Sequence, residues 1–139
     1  MTENEFKQRY ISDMSTQQKQ AVTTTDGAVL LLAVPGSGKT TVLITRLGYM
    51  IYCRGIAPSQ ILAVTYTRAA TFELKKRFSE SFGSEYAGSL EIRTINGLSA
   101  KITERYGSIY GAENVPRLMS REGCIQRYHR RVCRPVCGK

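Results

Sequence analysis

Within eight residues, Ala33-Val34-Pro35-Gly36-Ser37-Gly38-Lys39-Thr40, the chain places two glycines, a lysine and a hydroxyl beside one another. That set can hold a phosphate chain. Glycines without a Cβ let backbone N–H groups come close to an anion, Lys39 adds a point charge that bridges β- and γ-phosphates, and the Thr40 hydroxyl offers Mg²⁺ a ligand. The pattern G-x-x-x-x-G-K-[ST] is met except at its first position, where Ala33 stands for glycine. The site expected from these residues is Ala33, Pro35, Gly36, Ser37, Gly38, Lys39, Thr40 and Thr41, with Lys39 and Thr40 the members that touch the reacting phosphates and Thr40 the Mg²⁺ ligand. The competing reading is a glycine-rich strand-to-helix turn that binds nothing.

A loop of this kind works only if a strand delivers it and a helix leaves it with its positive end toward the anion. The apolar run Ala28–Ala33 supplies the expected strand, and Val42, Ile44, Leu47, Tyr49, Met50 and Ile51 mark a mostly buried helix that stops near Arg54-Gly55. Upstream, Ser15 predicts the cap of a short helix through Gln17 to Val22. Downstream, Ile61–Val64 reads as a second buried parallel strand, and Thr67 as the cap of a helix over Arg68–Phe82. In that helix Ala70, Leu74, Phe78 and Phe82 repeat along one face, and Gly83 ends it. A third strand, Leu90–Thr94, precedes a helix from Asn96 to Tyr106, with Gly107–Pro116 as a loop. Strand and helix alternate three times, which predicts an α/β fold with a parallel sheet and flanking helices. Ligands then bind beyond the carboxyl ends of the strands, where Gly36–Thr40, Thr65–Thr67 and Thr94–Gly97 all fall.

The 139 residues suit one domain or a piece of a larger one. No apolar run approaches the roughly 20 residues that span a bilayer. No secretory signal follows the polar start Met1–Glu5, so the expected compartment is the cytoplasm, no membrane partner is expected, and Cys53, Cys124, Cys133 and Cys137 read as free thiols. The net charge of +9 suggests nucleic acid until it is divided. Residues 1–116 carry 13 basic and 10 acidic side chains, residues 117–139 carry 7 and 1. Most of the excess therefore belongs to the last segment, and global charge is a weak argument for the body of the chain.

Three segments together resemble the start of a UvrD/Rep-type superfamily 1 DNA helicase. Met14-Ser15-Thr16-Gln17-Gln18-Lys19-Gln20-Ala21-Val22 resembles the family's Q motif, which implies that Gln18 reads the adenine of ATP; an amide both donates and accepts, as a base edge requires. Ile61–Ala70 resembles the block whose Thr-aromatic-Thr stretch contacts single-stranded DNA, which implies DNA contacts at Thr65, Tyr66, Thr67 and Arg68. Tyr66 stands where the family's aromatic lies against a base or sugar, the alternative being a core aromatic with a satisfied hydroxyl. The family has Asn-Lys where this chain has Arg68-Ala69. Ile92–Leu98 resembles a Thr-Phe-His stretch that also lines the DNA channel, with Ile95 and Asn96 in place of Phe and His. Thr94 then faces DNA, and Asn96 either bonds a phosphate or caps the helix. Arg46, Glu73 and Arg77 also fall on family-like positions, with exposed helix charges the simpler explanation of each.

The resemblance implies an incomplete RecA-like P-loop NTPase domain over residues 1–116, the N-terminal part of motor domain 1. ATP and Mg²⁺ are the cofactors it implies, and single-stranded or partly duplex DNA and the remainder of the motor the partners. Translocation in the 3′ to 5′ sense is the family's. After Thr40 the chain has no Asp-Glu pair closing an apolar strand, so the Mg²⁺-binding carboxylates of such a motor are missing, and the chain by itself is expected neither to unwind DNA nor to hydrolyse ATP usefully. Residues 117–139 form a basic, cysteine-containing tail. Ser120 reads there as the cap of a helix with Ile125, Tyr128 and Val132 on one face. Cys124, His129, Cys133 and Cys137 offer zinc-ligand types at a spacing that matches no familiar finger; a truncated or frameshifted gene end and a basic helix are the other readings. The second functional reading is a non-catalytic nucleotide- or DNA-binding module, and a third is an inactive gene remnant.

Overall fold

The computed structural model describes residues 1–111, and the expected boundary at 116, the tail helix and the Cys124/His129/Cys133/Cys137 set lie outside the described residues. The elements are α1 (Glu3–Phe6), continued by a π-helical stretch over Lys7–Ile11, then α2 (Thr16–Thr23), α3 (Lys39–Tyr52), β1 (Leu62–Thr65), α4 (Arg68–Phe82), α5 (Ser84–Ala87), β2 (Glu91–Thr94) and α6 (Ile95–Tyr110). The first compact unit ends at Leu98 and the second starts at Ser99, within α6. Among the described residues no helix is long and apolar enough to cross a membrane.

The sheet holds two parallel strands in the register Leu62↔Glu91, Ala63↔Ile92, Val64↔Arg93 and Thr65↔Thr94. Parallel pairing requires a crossover, and α4 with α5 provides it. Thr67 caps α4 as expected: its Oγ1 accepts from the Ala70 N–H at 3.1 Å, and Gly83 closes the other end. Leu74 and Phe78 on α4 are buried with Ile44, Leu47 and Ile51 of α3 and with Ala63, Leu90 and Ile92 of the sheet region. Ala70 lies in solvent, outside the apolar stripe assigned to it.

A second cluster joins Phe6, Ile11, Ala21, Val22, Val42 and Tyr49. Its first helix had no place among the sequence-based expectations, although Thr2 and Glu5 form a capping box and Phe6 is fully buried. The Phe82 ring connects the two clusters. It lies 5.8 Å from Phe6 in a stacked arrangement, 4.7 Å from Tyr10, 5.7 Å from Tyr52 and 5.2 Å from Phe78, measured between centroids. Gly48 makes room for it, since a Cβ there would meet Phe82 ring carbons at 2.3 to 2.7 Å. Cys53, the cysteine among the described residues, is a free thiol whose pKa is raised by burial.

Three expectations need correction. Ala28–Ala33 forms no strand: a ladder needs a neighbour, and β1 and β2 pair with each other alone among the described residues. Burial still alternates there as in a strand, with Leu31 and Ala33 half-buried and Leu30 and Leu32 both 83% exposed. The strand at β1 is covered on one face only, which leaves Leu62 and Val64 exposed instead of buried. The loop expected from Gly107 is helical as far as Tyr110. One glycine costs a helix only about 1 kcal/mol relative to alanine, and the Tyr106 and Tyr110 rings, one turn apart, meet at 4.6 Å across it. The helix stops at Gly111, whose φ of 98° suits a left-handed terminus.

Candidate functional site

The segment from Ala33 to Lys39 turns directly into α3. Gly36 and Gly38 have φ of 81° and 79°, a region that costs a side-chain-bearing residue about 1–2 kcal/mol, and Gly38 is the left-handed N-cap of α3. No side chain caps this helix, so its first N–H groups are left to an external acceptor. A Cβ built on Gly36 would meet nothing within 4 Å. The loop is held from within. The Ser37 N–H and Oγ donate to the Val34 carbonyl at 3.2 and 2.7 Å, and the Lys39 ammonium donates to the carbonyls of Ala33 at 3.1 Å and Val34 at 2.7 Å. Lys39, Thr40 and Thr41 are exposed, as are Val34 and Pro35.

Gln18 reaches this loop from α2. Its Oε1 accepts from the Ser15 N–H at 2.9 Å, and Ser15 Oγ accepts in return from the Gln18 N–H at 3.3 Å, a capping box. Its Nε2 donates to the Ser37 carbonyl at 3.0 Å. The amide therefore spans the start of α2 and the turn before α3, and each end keeps one further hydrogen-bonding valence. A cleft of about 280 Å³ opens here, lined by Ser15, Gln18, Leu31, Ala33, Ser37 and Lys39. The Ser15 half of this bridge has the Ser-x-x-Gln spacing of a capping box, whereas the Ser37 half depends on the approach of α2, and the part-buried amide is not the freely solvated glutamine that was the alternative to an adenine reader. Arg46 is not a mere exposed helix charge: half-buried on α3, it donates to the Ala21 carbonyl at the end of the α2 core stripe. Glu73 and Arg77 do form an exposed i, i+4 pair at 2.6 Å.

At the carboxyl ends of β1 and β2 a second group gathers. Thr65 and Thr94 are register partners. The Thr65 hydroxyl lies 2.7 Å from that of Thr71 and donates to the Thr67 carbonyl at 3.2 Å. Thr94, not Asn96, caps α6: its Oγ1 accepts from the Gly97 N–H at 3.0 Å, and Asn96 sits one residue inside the helix. Tyr66 follows β1 directly with 90% of its surface exposed, so it is no core aromatic. Arg68 opens α4 in solvent.

The model of the UvrD/REP helicase N-terminal domain matches residues 14–132. The chain belongs to this family. It is 35% identical over 106 residues to the ATP-dependent DNA helicase UvrD1 of Mycobacterium leprae and 37% identical over 102 residues to the ATP-dependent DNA helicase PcrA of Bacillus subtilis. The PcrA of Staphylococcus aureus is 34% identical over 103 residues. These stretches cover 73 to 76% of this chain and 14% of each relative, so the chain spans about a seventh of the length of the helicases it matches. Both groups described above, the glycine turn with Gln18 and the strand ends with Tyr66, fall inside the matched residues of the UvrD/REP domain.

Proposed function

We propose that the chain is the ATP-binding, single-stranded-DNA-contacting N-terminal part of a UvrD/Rep-type helicase motor, a RecA-like P-loop domain over residues 1–116 followed by a separate tail. The observation that carries this is the uncapped start of α3, preceded by two left-handed glycines and followed at once by Lys39 and Thr40. These residues fit Mg-ATP. Open space over Gly36 admits phosphate oxygens against the backbone, and the helix N-terminus favours their charge. Lys39 exchanges two carbonyl acceptors for phosphate oxygens, Thr40 offers its hydroxyl to Mg²⁺, and the remaining valences of Gln18 meet the adenine edge. Bound Mg²⁺ would neutralise charge on the phosphates. Ala33, Pro35, Ser37 and Thr41 shape the turn around them.

On the second surface Tyr66 offers a face for a base, while Thr65, Thr67, Arg68, Thr94 and Asn96 meet sugar and phosphate. The relatives are named ATP-dependent DNA helicases, and in an intact motor further segments would supply the carboxylates for Mg²⁺ and the arginines for the transferring phosphoryl group. Calorimetry of Mg-ATP against the full 139-residue chain tests the reading. We expect saturable binding that Lys39→Ala weakens at least tenfold; a folded chain that takes up no Mg-ATP would overturn it.

A further inference from the structure

The outer face of α4 carries an aromatic that the core does not use. Leu74 and Phe78 turn inward, whereas Phe72 is 70% exposed. Arg68, Phe72, Lys75, Lys76 and Ser79 recur at spacings of three and four, which places them on one stripe of the helix, about a third of the way around it from the buried one. All but the half-buried Ser79 are exposed. Lys76 makes a loose pair with Glu80 at 3.9 Å, while Arg68 and Lys75 have no ion-pair partner among the described residues. Glu73 and Arg77, which pair with each other, lie on a different flank. The stripe begins at Arg68, two residues after Tyr66, so the exposed aromatics Tyr66 and Phe72 stand six residues apart where the chain passes from the end of β1 into α4.

We propose that this stripe extends the path of a single nucleic-acid strand, with Phe72 as a second stacking platform and Arg68 and Lys75 as phosphate contacts on either side of it. The inference rests on the reading of Tyr66 as the first platform. From Arg68 to Phe72 the helix rises about 6 Å, and Lys75 lies about 4.5 Å beyond, so a cation flanks the ring along the axis in each direction. Alternation of cation and aromatic is what a flexible strand recognises: every base presents a π-face, and every linkage a charge. A protein partner with an apolar anchor would bury Phe72 beside cations that lack counter-charges, a costly arrangement. A duplex would hide its base faces from the ring.

Binding of a fluorescent oligothymidylate to the full chain, against the same strand with abasic sites, tests this. The variants are Tyr66→Ala, Phe72→Ala and Phe72→Trp. We expect Phe72→Ala to weaken binding about 5- to 150-fold, the range for one stacked base, with Phe72→Trp restoring it and the abasic strand insensitive to either change. Lys75→Ala should flatten the dependence of log K on log salt by about 0.7. Because Phe72 is exposed, an unchanged melting curve separates a binding loss from a folding loss. Weakening by Tyr66→Ala with none by Phe72→Ala would leave the strand-end reading intact and overturn the extension. A wild-type chain that is folded and binds no strand would overturn both. Loss of self-association in Phe72→Ala with unchanged strand binding would assign the ring to a protein contact and overturn the extension.

Discussion

Two stretches of this chain are rich in large apolar side chains and meet opposite fates. Phe6, Tyr49 and Phe78 are enclosed where α1, α3 and α4 come together, with the half-buried Phe82 packed against them, whereas Leu30 and Leu32, six and four residues before Gly36, stand in solvent. Their hydrophobicity does not differ in kind. What differs is the partner each requires. A helix makes its own hydrogen bonds and needs only an apolar surface to lie on, which a neighbouring helix of the same segment supplies. A strand needs another strand's backbone before its side chains can be covered, and β1 and β2 have used each other. Residues 28–34 thus keep a strand's alternation, with one side on α2 and α3, and no strand's ladder.

The strongest test of this contrast is in the enclosed region. Phe78 is fully buried between the α3 face and the sheet, and Phe78→Ala should lower the unfolding free energy by about 3–5 kcal/mol, read from urea denaturation. A loss below about 1 kcal/mol would mean that this cluster is not a packed core. Gly48→Ala probes the same contact from the other side. The added methyl would press on the Phe82 ring, whose neighbours Phe6, Tyr10, Tyr52 and Phe78 leave it little freedom, so we expect a loss of about 1–3 kcal/mol despite alanine's better helix propensity. A gain in stability would show that Phe82 moves aside freely.

The way these elements were read from sequence follows the same division. Helices α2, α3 and α4 were legible because their caps and apolar periods are local: Ser15, Gly38 and Thr67 sit where the chain enters each one. The backbone of the candidate site was legible where a turn demands glycine, as at the left-handed Gly36 and Gly38, whereas the bonds from Lys39 to the Ala33 and Val34 carbonyls were not anticipated. The site was less legible where a side chain has two uses. Nothing in the type of Gln18 shows that its amide ties Ser15 to Ser37, and only the tertiary approach of α2 to the turn brings the Ser37 carbonyl within its reach. The π-helical stretch at Lys7–Ile11 was missed for a related reason. Its register shift brings Ile11 into the core with Phe6, a spacing of five that neither helical nor strand periodicity anticipates.

A smaller effect ties the first helix to α3. The Tyr49 hydroxyl donates to Glu3 Oε1 at 2.8 Å, and Lys7 Nζ lies 2.6 Å from the same oxygen. Lys7 first, and Tyr49 after it, hold the Glu3 carboxyl below its ordinary 4.5. A lowered folded-state pKa means that the charged form stabilises the fold, fully above the ordinary value and progressively less as the pH falls through the folded one. Denaturation midpoints of wild type and Glu3→Gln should therefore differ at pH 7, with wild type the more stable, and converge as the pH falls below the ordinary 4.5 and through the lowered folded-state value. A gap that persists in acid would assign the effect to packing of the side chain and not to its charge.

The smallest expected change sharpens the comparison most. If Leu32 is the solvent side of a strand without a partner, Leu32→Ser removes little buried surface, and the unfolding free energy should stay within about 0.5 kcal/mol of wild type. The same substitution at Leu31, half-buried against the α2–α3 cluster, should cost more, because its neighbours Ala21 and Val42 lose an apolar contact that serine cannot replace. The inequality between adjacent leucines is the signature of a segment covered on one side. Equal and large losses would place both side chains in a two-sided core, with another strand beside Leu32. Equal and negligible losses would mean that residues 28–34 do not rest on the helices at all, and the glycine turn would then hang on α3 and on the single hydrogen bond from Gln18 to Ser37.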